Sequence, residues 1–197
     1  LEFANMVGYP VVVKPDNGVG ANNTYKLKCD DDVRFFIATK DDNVYIMEEF
    51  VNGYVQTYDG IVDSQGRVLF ESGNITPLSL MDIVNDNGDS VYYLVKEIPE
   101  KVRQAGLATV KSFGVKSRFV HLEFFILNED QEGLGKKGDV LGLEVNMRPA
   151  GGFTPEMYNY SQETDVYKIW ADMVAFDCNT KNIGNPHFCA FYGRRDG

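Results

Sequence analysis

The sequence predicts an α+β fold in which mostly antiparallel strands carry helices packed on them. Three observations lead there. Runs rich in β-branched and aromatic residues recur along the chain, closed by turn residues. Two pairs of these runs are joined by the turn DSQG and by the polar connection NEDQEGLGKKGD, which makes hairpins of them. Further stretches carry apolar side chains at helical spacing behind recognisable start signals. At 197 residues, 44% hydrophobic and 13% aromatic, the chain can build a core in one domain or two closely packed subdomains.

In chain order, LEFANMVGYPVVVK reads as the end of a helix running into a strand, YPVVVKP, that Pro15 terminates. DNGVGANN, residues 16–23, is a Gly- and Asn-rich turn, and TYKLK the returning strand. CDDDVRFFIAT predicts a short helix from about Asp31 to Thr39, with acids at its positive end and Val33, Phe36 and Ile37 as apolar positions. NVYIMEEFVNG is another strand, and Gly53 marks the subdomain hinge. YVQTYDGIVD and GRVLFESGNI form a hairpin. Residues 76–90 read as loop, and VYYLVKEI as a short strand. Pro99 opens the helix EIPEKVRQAGLATVKSFG and Gly114 closes it. RFVHLEFFIL and VLGLEVNMR pair as a hairpin with an enlarged loop. SQETDVYKIWADMVAF is the last helix, with Ser161 and Thr164 as caps, and HFCAFYGRRDG closes the chain as a strand and a stop.

The formal net charge of −10, without a Lys/Arg-rich stripe, argues against nucleic acid as a partner. No apolar run reaches the ~20 residues of a membrane span. Cys29, Cys178 and Cys189 have no metal-like spacing and read as reduced thiols of a cytoplasmic protein. With His121 and His187 as the two histidines, a histidine-rich metal site is excluded. Both ends look cut from a longer protein.

The chemistry concentrates in GLEVNMRPAGG, residues 142–152. Side chains alternate along a strand, so Glu144, Asn146 and Arg148 share one face and Leu143, Val145 and Met147 the other. In the partner strand His121, Glu123 and Phe125 share a face, so pairing can bring Glu123 beside Glu144. Two carboxylates placed together repel unless a cation lies between them. Mg²⁺ takes such oxygen ligands together with substrate phosphates, and Asn146 adds a neutral oxygen. Arg148 can reach phosphoryl oxygens, and Gly151–Gly152 lets backbone N–H groups approach an anion. The same alternation also fits an ordinary solvated strand face. The register between the strands decides between them, and the sequence leaves it open.

GYPVVVKPDNGVGANNTYKL, YIMEEFVNG, VHLEFFIL and GLEVNMRPAGG, in that order over residues 8–152, resemble the ATP-grasp superfamily. Within it they are similar to the carboxylate–amine ligase group that includes biotin carboxylase and the large subunit of carbamoyl-phosphate synthase. The resemblance implies a small ββαβ lid subdomain, residues 1–52, and a larger antiparallel sheet packed with helices, residues 53–197, that carries the metal and phosphate site. It implies that Lys14 contacts the ATP phosphates and that the loop with Gly18 and Gly20 closes over them. Glu48 and the backbone of Glu49, Phe50 and Val51 would hold the adenine. Glu123, Glu144 and Asn146 would bind Mg²⁺, or Mn²⁺ in its place, and Arg148 would be the catalytic arginine beside the reacting phosphate. The implied reaction activates a small-molecule carboxylate as an acyl phosphate for attack by an amine. A nucleotide-binding module without turnover is the alternative. The sequence departs from the group in three respects. Val55 or Gln56 stands where an acid for the ribose is often found, the loop after Leu127 is long, and the group's N-terminal domain and upstream lysine are missing.

Overall fold

A computed structural model describes residues 1–17, 23–77 and 89–194. The chain divides into two compact units. Leu1–Asn52 belongs to the first, with α1 (Glu2–Val7), β1 (Val11–Pro15), β2 (Tyr25–Leu27), α2 (Asp30–Thr39) and β3 (Tyr45–Glu49). The strands form an antiparallel sheet in the order β2-β1-β3. Period-2 alternation sends Val11 and Val13 to one face, where they are buried with Leu27 against Ala4, Val33 and Phe36 of the helices. Val12, Lys14, Lys26, Ile46 and Glu48 share the opposite face, because Val12 pairs with both Lys26 and Glu48, and Lys14 with Ile46. α2 begins one residue early, with Cys29 as N-cap. Asp30, Asp31 and Asp32 fill its first turn, where their charge meets the unpaired N–H groups.

The second unit comprises Gly53–Leu78 and Ser90–Gly193. It contains β4 (Gly53–Val62), β5 (Val68–Ser72), β6 (Asn74–Thr76), β7 (Ser90–Leu94), α3 (Glu100–Ser112), β8 (Arg118–Leu127), β9 (Val140–Asn146), α4 (Thr154–Gln162), α5 (Val166–Phe176) and β10 (Cys189–Gly193). The sheet runs β10-β7-β6-β4-β8-β9, and β5 continues beside β6 along β4. GRVLFESGNI is therefore two strands. The break is at Gly73, where a Cβ would lie 2.6 Å from the Thr57 carbonyl oxygen, so a side chain has no room.

The alternating faces of β4 and β8 build two cores. Tyr58, Val62, Val120, Leu122, Phe124 and Ile126 pack against Val102 and Val110 of α3. Ile61 and Phe119 face the other way, onto Met157 and Tyr158 of α4 and Val166, Ile169 and Met173 of α5. Each such burial contributes about 1.5–3 kcal/mol. α3 starts behind Pro99 and stops at Gly114 (φ 58°), where the Val115 N–H donates back to the Val110 carbonyl at 3.0 Å.

Two expectations need correction. Residues 161–176 are not one helix. Glu163 takes a left-handed conformation (φ 46°) and ends α4, and α5 starts afresh at Val166. The cap is Asp165, whose carboxylate accepts from the Lys168 N–H at 3.0 Å, rather than Ser161 or Thr164. Ser161 lies inside α4 and donates its hydroxyl to the His187 carbonyl at 2.6 Å. The start of α4 had a signal, Pro155 in its first turn, masked by the Pro-Ala-Gly-Gly turn before it. Second, β9 ends at Asn146, so Met147 and Arg148 lie beyond the strand. The three cysteines are free. Among the described residues no helix is long and apolar enough to cross a membrane.

Candidate functional site

The β8–β9 hairpin settles the register. His121 pairs with Asn146, Leu122 with Val145, and Glu123 with Glu144. Beyond that point Phe124 pairs with Gly142, so Leu143 is an extra residue in β9, a β-bulge. The bulge decides which face the carboxylate takes. Regular pairing would set Leu143 opposite Glu123 and Glu144 opposite Leu122, which is 1% exposed in the α3 core. With the bulge, Glu144 and Asn146 join His121 and Glu123 on the opposite face. Val140, on the other side of the bulge, packs into the α3 core, as does Met147. Val145 is 39% exposed rather than packed.

Directly opposed residues have Cβ atoms about 4.5–5.5 Å apart. Glu123 and Glu144 are thus neighbouring carboxylates, both half-buried. Asn146 lies on the same face, and its Nδ2 is buried without a hydrogen-bond partner among the described residues. A buried donor left unpaired costs about 1–3 kcal/mol, so Nδ2 is suited to an acceptor oxygen of a ligand, and Oδ1 is the atom of this amide that could face a cation. The donor set of two carboxylates and an amide is hard and oxygen-rich, which fits Mg²⁺. Among the described residues no group of three or more His, Cys, Asp and Glu is disposed to hold a metal ion. Any cation here would therefore draw on Asn146 and on non-protein oxygens. Arg148 is exposed, and its Nη1 donates to the Pro149 carbonyl at 3.0 Å.

Next to the carboxylates runs a buried polar chain that sequence reasoning missed. The Asn74 N–H donates to Thr57 Oγ1 at 3.0 Å, and the Thr57 hydroxyl donates to Asp59 Oδ2. His121 Nδ1 lies 2.6 Å from Asp59 Oδ1, and its Nε2 lies 3.0 Å from Glu123 Oε1. Burial opposes charge on this imidazole, but the charges and hydrogen bonds of Asp59 and Glu123 outweigh it and raise its pKa to about 10. His121 is therefore an imidazolium between two acids. Tyr158 of α4 approaches Asp59 without completing a hydrogen bond. Burial and that negative charge push its phenol well above the ordinary range. The signal for the chain was Thr57 and Asp59 at period 2 in one strand and His121 and Glu123 at period 2 in another.

In the first unit, Lys14 Nζ and Glu48 Oε2 form an ion pair at 2.7 Å on the open face of the sheet. Lys26 Nζ stands 3.5 Å from the centre of the Phe50 ring, a cation–π contact. Glu49 pairs with Val11 and so projects from the opposite face to Glu48, leaving its backbone rather than its side chain to the open face. Val51 is half-buried just past β3. Gly18 and Gly20 lie outside the described residues. Val55 and Gln56 are 8% and 1% exposed in β4, so neither side chain is available to a ribose. A surface groove of about 510 Å³ beside α3, lined by Arg67, Arg103, Lys111 and Lys116, contains none of the predicted site residues.

No protein-family model matches the sequence. Mitochondrial carbamoyl-phosphate synthase [ammonia] of Mus musculus is 25% identical over 162 residues, which cover 78% of this chain and 10% of that protein. The Rattus norvegicus protein matches to the same extent. The chain thus spans about a tenth of the length of the curated relatives it matches. Among solved structures, the biotin carboxylase domain of Hydrogenobacter thermophilus 2-oxoglutarate carboxylase, crystallised with MgADP, ADP and bicarbonate, superposes with a TM-score of 0.70. It is 17% identical, and the match covers 96% of this chain and 42% of that one. An L-amino acid ligase from Bacillus licheniformis gives 0.63 at 19% identity over 85% of this chain and 39% of that one. Phosphoribosylglycinamide synthetase from Anaerococcus prevotii gives 0.57 at 20% identity, covering 92% and 45%. These matches, with antiparallel sheets flanked by helices, show that this chain has the ATP-grasp fold.

Proposed function

We propose that this chain is the nucleotide- and metal-binding part of an ATP-dependent ligase that joins a small-molecule carboxylate to an amine, activating the carboxylate as an acyl phosphate. The observation that carries the reading is the direct opposition of Glu123 and Glu144, with Asn146 on the same face of the hairpin. Two adjacent carboxylates cost stability in a bare protein and favour a divalent cation. The fold likeness to ligases supports the same reading. Bound Mg²⁺ would supply charge neutralisation at the nucleotide phosphates.

The residues divide the remaining work. Glu123, Glu144 and Asn146 hold the cation. Arg148, without a carboxylate partner among the described residues, offers its guanidinium donors to the phosphoryl oxygens. Lys14 supplies a point charge, held by Glu48 until an anion replaces that pairing. The backbone of Glu49 to Val51 and the Phe50 ring serve the base, and the loop containing Gly18 and Gly20 serves the phosphates. No side-chain nucleophile is required, because phosphoryl transfer needs positioning and charge neutralisation.

The test is ADP release that depends on both a carboxylate and Mg²⁺. Glu144→Gln should lower it by at least about 100-fold, on the scale of losing an electrostatic group at the transition state. Full activity in E144Q would remove the metal assignment, and no ADP release by the full-length protein with any carboxylate–amine pair would remove the ligase reading; this 197-residue chain alone should turn over weakly or not at all. A nucleotide-binding module without turnover is the second reading, favoured by the burial of Val55 and Gln56 at the ribose position. It predicts calorimetric ATP binding with no ADP formed.

A further inference from the structure

We infer that Asp59 and His121 are positioning residues that fix the Glu123 carboxylate so that it can share a cation with Glu144. The inference rests on the metal role proposed for Glu123, Glu144 and Asn146.

A glutamate on a strand has free side-chain torsions, and freezing them costs conformational entropy. Opposite a second carboxylate it would also swing away to relieve repulsion. His121 removes that freedom, because its Nε2 bonds Glu123 Oε1 at 3.0 Å from two residues earlier on the same face of β8. The bond takes one oxygen and leaves Oε2 for another partner. His121 is held in turn, with Nδ1 2.6 Å from Asp59 Oδ1. Asp59 is held by the Thr57 hydroxyl, and Thr57 by the Asn74 N–H.

The β4–β8 register delivers this chain. Asp59 pairs with His121, and Thr57 with Glu123. Both ring nitrogens face acceptor-only carboxylates, so both carry hydrogens, and the imidazole cannot flip or change tautomer without breaking a bond. Asp59 and His121 are 1% and 8% exposed. Burying an acid and an imidazole at the centre of a sheet gives folding no advantage over apolar side chains of the same volume. The arrangement has a use if it orients Glu123, as outer hydrogen bonds orient the ligands of metal sites.

The experiment measures Mn²⁺ binding by the electron-spin resonance of the free ion, for wild type, Asp59→Asn, the apolar double variant Asp59→Leu/His121→Phe, and Glu144→Gln. D59N replaces the carboxylate that anchors Nδ1 with a neutral amide that holds the ring more weakly behind Glu123, and the double variant removes the hydrogen bond to Glu123 altogether. D59N and the double variant should bind Mn²⁺ about tenfold more weakly or worse, and E144Q should lose binding. Unchanged Mn²⁺ affinity in D59N and the double variant, beside loss in E144Q, overturns the positioning role alone. Wild-type affinity in E144Q overturns the metal reading and this inference with it. A measurement on the unaltered protein covers variants that do not fold. The His121 ring N–H resonances should shift along the Mg²⁺ binding curve, and resonances that stay fixed through saturation overturn the inference.

Discussion

Glu144→Gln should make the metal-free protein more stable while disabling the site. The perturbation removes one of two like charges set directly across the β8–β9 pair. With Cβ atoms about 5 Å apart the carboxylates lie roughly 6 Å from each other. Two unit charges at that distance repel by about 0.7 kcal/mol in water and about 3 kcal/mol at an effective dielectric near 20. Both groups are half-buried rather than sealed, and the His121 imidazolium already draws on Glu123. The expected gain is therefore at the low end, about 0.5–1 kcal/mol, or about 1–4 °C in Tm for a chain of this length. The assay is thermal or urea unfolding of both proteins, in EDTA and at saturating Mg²⁺. In EDTA the variant should melt higher. At 100 times its dissociation constant, Mg²⁺ should stabilise wild type by about 2.7 kcal/mol and leave the variant unmoved, reversing the order. A variant that melts lower than wild type in EDTA would refute the reasoning. Glu144 would then be a structural partner, and the facing carboxylates would not be held apart from a lower-energy arrangement.

Two further outcomes test the frame around the site. Gly106→Ala in α3 should destabilise by about 1–3 kcal/mol despite the better helix propensity of alanine. The new Cβ would lie 2.2 Å from Tyr58 Cγ, on a fully buried ring whose hydroxyl donates to Glu71 at 3.0 Å. Stability above wild type in urea unfolding would show that α3 is not seated as described. The carboxylate of Asp63 is buried, which opposes its charge, but the Arg67 and Gln65 N–H groups and the Arg67 guanidinium hold its pKa below the ordinary value. Its contribution is therefore present above the unfolded pKa of about 3.8 and lost as pH falls through the folded one. Wild type should exceed Asp63→Asn in stability at neutral pH, and the gap should close under acid. A gap that persists at low pH would contradict the assignment.

What the sequence made legible was local. Alternation marked β8 and β9, capping chemistry marked α2 and α3, and Glu144 and Asn146 stood out at period 2 on one strand. What it hid was lateral. The bulge at Leu143 is written in a run, Leu-Gly-Leu-Glu, that regular pairing would accept just as well. No local rule tells the reader that the pattern changes face there. Asp59 and His121 are 62 residues apart, and β4 reads as an alternating hairpin strand of mixed polarity in which the acid looks like a local interruption. The sheet's central pairing turns that interruption into the anchor of Glu123. Sequence periodicity could name the residues that face an incoming charge, but not those that aim them. Aiming depends on contacts between strands distant in sequence. The chain sets three acidic side chains on this patch of sheet, Asp59, Glu123 and Glu144, against one imidazolium. An excess of acidic groups is costly to fold around, and a divalent cation at the proposed site would offset that cost.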